Sequence, residues 1–248
     1  MRDGLPALAI ERLAALAFVA LVACGSAPAP VAASDPCADP ALDGGAVYDL
    51  NCSFSLTTNP SGGWEYGFSS PGTPDRFQPL AHADPGNPVG LWHPDARSYY
   101  PYVAWNSTPL ARVDATDSWA VRPREVAMEA APGGGFSIAR FTAPQAGVYL
   151  LQATFEGIHF RHSTTDVHVR QGATALFDAE IDGYGGHPAF HAMDGTNPST
   201  SFSRELSLQA GDEVSFAVGV GTDAANANDT TGLMARMTRL RSAARRRY

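Results

Sequence analysis

The chain has 248 residues, 44% of them apolar, with 24 glycines, 19 prolines and a formal net charge of −8. That apolar share is too high for disorder, and an acidic chain lacks the basic face that a general nucleic-acid binder needs. In chain order the first feature is the apolar run at residues 13–23 (LAALAFVALVA), which follows Arg2 and Arg12. It is too short to cross about 30 Å of hydrocarbon. It reads instead as the apolar core of a signal peptide covering residues 1–23.

The run closes on Leu21-Val22-Ala23-Cys24, which resembles the lipobox of bacterial lipoproteins. The resemblance implies cleavage before Cys24, acylation of its sulfur and membrane anchoring through the attached chains, each buried methylene adding about 0.8 kcal/mol. An ordinary signal peptide cut among residues 23–29 is the alternative. In such lipoproteins an aspartate just after the cysteine often marks inner-membrane retention. Gly25 and Ser26 stand there, which points to the outer membrane or cell surface. Residues 24–44 read as a lipid-anchored linker, with the small, proline-rich stretch 25–36 as its tether. Once Cys24 is assigned to lipid, Cys37 and Cys52 remain. Two cysteines in an exported chain pair with each other, the alternatives being free thiols or an intermolecular bond.

Beyond residue 44 no helical period is sustained, and apolar residues alternate. Tyr48, Leu50, Cys52, Phe54 and Leu56 share one face of an expected first strand, and Trp64, Tyr66 and Phe68 share a face of the next. Val126 and Met128 lead through Gly133-Gly134-Gly135 to Phe136 and Ile138, a hairpin pattern. Residues 147–156 (GVYLLQATFE) are apolar on both faces, as a central strand is. In residues 164–170, Val167 and Val169 face one way while Asp166, His168 and Arg170 face the other. Leu206 and Leu208 precede the turn Ala210-Gly211-Asp212, and Val214, Phe216, Val218 and Val220 follow it in alternation. Leu233, Ala235 and Met237 form the last strand. About nine or ten strands between turn signals predict an all-β fold, a single antiparallel β-sandwich over residues 45–240, with a short Arg-rich tail at 241–248.

The ordered segments FTAPQAGVYLLQATFEG, STTDVHVRQG, LSLQAGDEVSFAVGVG and DTTGLMARM resemble a β-sandwich module of exported bacterial surface proteins. Some of those proteins carry PEP-CTERM sorting tails, and some are modular glycan-active enzymes. The resemblance implies a jelly-roll sandwich akin to galactose-binding-like and carbohydrate-binding modules, without naming a ligand. The chain departs from sorting-tail proteins in lacking a C-terminal apolar helix.

Residues 91–106 hold Trp92, Tyr99, Tyr100, Tyr102 and Trp105. Sugar rings stack their apolar faces on such side chains, and Asp95, Arg97 and Asn106 are placed to meet the hydroxyls. The competing reading makes these aromatics the sandwich core. His159, His162, His168, His187 and His191 fit no zinc signature, so no metal site is expected among them. Asp223, Asn226, Asn228 and Asp229 form an oxygen-rich loop; no cofactor is expected there, with a structural calcium as the alternative. Glu156, Asp166, Glu180 and Asp182 are carboxylates without a catalytic motif around them, and no GxSxG elbow, P-loop or GxGxxG occurs. The expected function is therefore non-catalytic: a cell-surface lipoprotein that binds carbohydrate through Trp92, Tyr99, Tyr100 and Trp105. The alternatives are a structural or adhesive protein that binds another protein, and a polysaccharide-acting hydrolase.

Overall fold

The computed structural model describes residue 37 and residues 45–72, 74–86, 89–113, 119–183 and 197–241. The signal sequence, Cys24, the tether, His187, His191 and the terminal arginine run lie outside the described residues. In chain order the elements are β1 (Val47–Asp49), α1 (Leu50–Ser53), β2 (Trp64–Ser69), β3 (Gln78–Pro79), β4 (His82–Asp84) and β5 (Val89–His93). There follow β6 (Tyr102–Asn106), β7 (Arg112–Val113), β8 (Ala120–Val121), β9 (Val126–Glu129), β10 (Phe136–Thr142) and β11 (Gly147–Gly157). The last are β12 (Ser163–Gln171), β13 (Thr174–Gly183), β14 (Ser199–Leu208), β15 (Glu213–Val218) and β16 (Thr231–Arg239).

The long strands form two antiparallel sheets, and alternation of side chains decides what lies between them. The first sheet runs β14-β11-β16-β9-β6-β5-β4, with β1 beside β16, and the second runs β13-β12-β15-β10-β2-β3. From β9 to β12 the chain changes sheet at every connection, and it does so again from β13 to β16, a jelly-roll-like path. Inward residues of β11 (Tyr149, Leu151, Ala153, Phe155) meet inward residues of β12 and β15 (Val167, Val169, Val214, Phe216) in one core. Trp64 is fully buried there, 5.4 Å from the ring of Phe141 and 5.5 Å from that of Phe216. Burying each such side chain stabilises the fold by roughly 1.5–3 kcal/mol. Among the described residues no helix is long and apolar enough to cross a membrane.

Two sequence expectations are corrected. The alternation from Tyr48 to Leu56 is not one strand, because Asp49 ends β1 and caps a helical turn. Its Oδ1 accepts hydrogen bonds from the amides of Asn51 (3.0 Å) and Cys52 (3.2 Å). The turn brings Cys52 to Cys37, and the two are disulfide-bonded across a separation of 15 residues. A loop of that length stabilises by about 3 kcal/mol in the chain-entropy model. The second correction concerns the glycine run at 133–135. It does not close a hairpin within one sheet. β9 pairs with β6 and β16, whereas β10 pairs with β2 and β15, so the turn carries the chain from one sheet to the other. Tight-turn residues look the same in both cases.

Candidate functional site

The outer face of the first sheet is divided. Over β9, β6 and β5 it is covered by chain that leaves β6 and returns to β9. Val121 and half-buried Trp119 of that cover pack on Leu91, Ala104, Ala127 and Ile158 in a second apolar cluster. The clamp is Asn106, fully buried at the end of β6. Its Nδ2 faces the carbonyls of Leu110 (2.8 Å), Arg122 (3.0 Å) and Val121 (3.1 Å). Its own amide donates to the Glu125 carbonyl at 3.1 Å, and its carbonyl accepts from the Arg124 amide at 2.8 Å.

Where the cover reaches β9 it stands up as a wall. The Arg122 guanidinium pairs with Glu156, which is buried on the outer face of β11. The Arg122 amide donates to Oε2 of Glu125 at 2.7 Å. Glu125 in turn lies against Gly232 of β16, where an added Cβ would come within 2.4 Å of Oε1, so a side chain at this position would displace the Glu125 carboxyl. Arg124 has φ +61°, a left-handed backbone that costs a non-glycine residue about 1 kcal/mol. Its carbonyl is held by Nδ2 of Asn51 (2.8 Å) and Nε1 of Trp105 (3.2 Å). Its Nη1 reaches Sγ of Cys37 at 3.2 Å.

Among the described residues nothing covers the face over β14, β11 and β16, and there the wall bounds a groove of about 660 Å³. Outward residues form its floor: Gln152 and Thr154 from β11, Ser201 and Ser203 from β14, and Met234 and Arg236 from β16. The hydroxyls of Thr154 and Ser201 are 2.9 Å apart. Asp49, Asn51 and Cys52 form the rim beside Arg236, whose Nε donates to Asp49 at 3.3 Å. The result is a solvent-facing trough whose surface is mostly apolar, with Pro123, Phe202 and Met234 in its lining, and on which hydroxyl, amide and guanidinium groups stand.

The four aromatics singled out from the sequence do not come together here. Trp92 is buried in the core, its Nε1 donating to the Ser55 carbonyl at 2.7 Å. Trp105 is half-buried and stacked on Phe54 at 5.4 Å. The Trp92 ring is packed inside, and Trp105 gives one face to Phe54. Tyr99 and Tyr100 are 51% and 38% exposed and meet edge to face at 5.3 Å. They lie beside Tyr102, whose hydroxyl donates to Glu129 at 2.6 Å. Asn106 is the internal clamp and no ligand contact, and Asp95 caps its own turn through the amides of Arg97 and Ser98. The groove residues were missed because isolated Gln, Thr, Ser and Arg on strand exteriors carry no motif.

The candidate carboxylates are also dispersed. Asp166 and Glu180 are cross-strand partners on the second sheet, and Asp182 lies nearby facing His162 at 2.9 Å. Of the four, Glu156 is the one on the first sheet, packed beside Glu125, 31 positions earlier in the chain. His159 is buried, and His168 sits between Asp166 (2.7 Å) and Asp178 (2.6 Å). In the 223–229 loop, Asp223 accepts from the Ala225 amide, and Asp229 is buried against the Ser163 hydroxyl. Among the described residues no three histidine, cysteine or acidic side chains are gathered as a metal centre.

Neither protein families nor characterised proteins match the sequence. Solved structures are similar at a distance. A carbohydrate-binding module, CBM51-2 in complex with GlcNAc, with INT domains from Clostridium perfringens ZmpB, is 11% identical over 53% of this chain and 25% of that one, with a TM-score of 0.33. The β-glucosidase of Kluyveromyces marxianus is 11% identical over 75% of this chain and 17% of its own, with a TM-score of 0.32. A CBM4 structure is 13% identical over 66% of this chain and 95% of that one, with a TM-score of 0.30. This chain thus spans a quarter or less of the first two. Likenesses this remote leave ligand and activity to the site itself.

Buried acids give the fold a signed response to pH. Burial, reinforced by the neighbouring Glu156, holds the Glu125 carboxyl well above the usual carboxylate range. Burial also raises Glu129, against the hydrogen bonds from Tyr102 and Thr230. Burial pushes Asp229 up to about 8, opposed by the Ser163 hydroxyl and helped by the charges of Asp223, Glu129 and Asp166. For His168, burial disfavours the charged ring, but the bonds to Asp166 and Asp178 outweigh it and raise the pKa. Each of these groups keeps its proton longer when folded than when unfolded. Their stabilisation is therefore complete below the unfolded values, about 4 for the acids and about 6.5 for the histidine, and is lost as pH rises through the folded values. Asp166 has the opposite sign but is already ionised in this range. Tm is expected to fall from pH 5.5 to 8.5, and Asp229→Asn to flatten that slope. A Tm that is level or rises across the range in the unmodified chain would contradict this.

Proposed function

We propose that the chain is a lipid-tethered, extracytoplasmic protein that binds carbohydrate without transforming it. The observation that carries the reading is the groove. Its volume of about 660 Å³ falls within the roughly 300–1,000 Å³ typical of small-ligand clefts. Its floor offers neutral donors and acceptors at Gln152, Thr154, Ser201 and Ser203, which match a polyhydroxylated ligand, and Met234 offers an apolar surface for a ring face. The exposed Tyr99–Tyr100 pair supplies a second, separate surface suited to sugar stacking. Trp92 is packed inside and half-buried Trp105 stacks on Phe54, and neither lines the groove.

The carboxyls argue for binding over hydrolysis. Glycoside hydrolysis uses two carboxyl groups set about 5 Å or about 8 Å apart, with the scissile bond between them. Glu125 and Glu156 are instead buried against one another, and Glu156 is held by Arg122. The anchor is assigned to Cys24 on the strength of the lipobox-like sequence.

The test is a glycan array probed with the full chain in detergent. Binding is expected, and Gln152→Ala together with Ser201→Ala is expected to weaken it about tenfold, since two neutral hydrogen bonds contribute about 0.5–1.5 kcal/mol each. An array on which no glycan is retained would overturn the reading. For the anchor, Cys24→Ser is expected to move the protein from the membrane to the soluble fraction. Sedimentation of the variant with membranes after a salt wash would contradict the lipid assignment.

A further inference from the structure

The groove has a charge that the chain as a whole does not. The chain carries a formal −8, yet Arg122, Arg124 and Arg236 line the groove against two acids, Asp49 and Glu125. Glu125 is one of two carboxyls buried against each other and is pressed on Gly232, which is where a neutral acid sits more cheaply than an anion. With Glu125 neutral, the lining holds three positive charges and one negative charge, and Glu156 beneath Arg122 adds one more negative. Over these residues the count is one positive charge.

One of the arginines, Arg236, is placed for a ligand. Arg236 stands on the floor and uses its Nε for Asp49, at a long 3.3 Å. Among the described residues its terminal nitrogens take no hydrogen bond, so the outer edge of the guanidinium fork is open. Arg124 is held at the wall by a left-handed backbone, fixed from both sides by Asn106, Asn51 and Trp105. A planar fork matches the two oxygens of a carboxylate better than a single hydroxyl. Beside Arg236, away from the wall, the amide of Gln152 and the hydroxyls of Thr154, Ser201 and Ser203 take the rest of a sugar ring.

We propose that the groove selects acidic polysaccharide, with the Arg236 guanidinium receiving the carboxylate of a uronate residue. The inference rests on the carbohydrate-binding reading and narrows it to one ligand class.

The test uses the full chain in detergent and three probes: polygalacturonate, a sulfated galactan and a neutral β-glucan. The expected result is binding of polygalacturonate that weakens as salt rises from 50 to 500 mM, as a charge contact exposed to solvent must. Arg236→Gln is expected to lower that affinity about tenfold. Asp49→Asn keeps the helix cap but removes the competing charge, so it is expected to raise affinity, a gain that a misfolded variant cannot imitate. Equal, salt-independent binding of the neutral glucan would overturn the acidic preference and leave the carbohydrate reading standing. Preference for the sulfated polymer over polygalacturonate would overturn the uronate assignment. Retention of none of the three, with a blank glycan array, would remove the carbohydrate reading itself.

Discussion

A side-chain amide is tolerated in a protein interior only when its hydrogen-bonding groups are met. Asn106 is fully buried, and the groups that meet it are the backbone carbonyls of the segment lying over the first sheet. That requirement pins the segment across β9, β6 and β5, and among the described residues nothing covers β14, β11 and β16. The groove is the consequence: a step between covered and bare halves of one sheet face, with residues 122–125 as its riser. An open sheet face alone would be flat, and depth comes from the segment that Asn106 holds down.

The foot of the wall is electrostatic. Glu156 and Glu125 are buried within a step of each other, an arrangement that is unfavourable with both ionised. Arg122 offsets one charge, and a retained proton on Glu125 offsets the other. Removing one partner from a buried ion pair typically costs about 3–5 kcal/mol, because the remaining charge is stranded. Here the damage would reach the groove directly, since the same residues that balance the charge carry Arg124 on the next position. The disulfide joins this assembly from the other side: Cys52 lies on the rim, and Cys37 contacts Arg124.

The fold was largely legible, and the site was not, for different physical reasons. Burial between two sheets imposes a period of two, so Val167 and Val169, or Val214, Phe216 and Val218, announce their strands and their inward face. The period does not say which strands share a sheet, which is why the turn at 133–135 read as a hairpin. It also cannot see a local cap, and Asp49 broke an apparently continuous alternation. Aromatic residues suggested a stacking surface at positions 92–105, yet Trp92 and Trp105 serve the core, while Tyr99 and Tyr100 at the loop remain outside. The groove draws single outward residues from β11, β14 and β16, separated by about 50 and 30 positions in the chain. Only strand pairing brings Gln152, Ser203 and Arg236 side by side, and no local spacing encodes that.

The most direct test of the groove as the binding surface is an NMR titration of isotope-labelled protein with an oligosaccharide from a glycan it binds, following backbone amides residue by residue. The account predicts shifts that cluster on Gln152, Thr154, Ser201, Ser203, Met234 and Arg236, with smaller changes along the wall at Arg124. Shifts confined to the Tyr99–Tyr100 loop or to the outer face of the second sheet would contradict it.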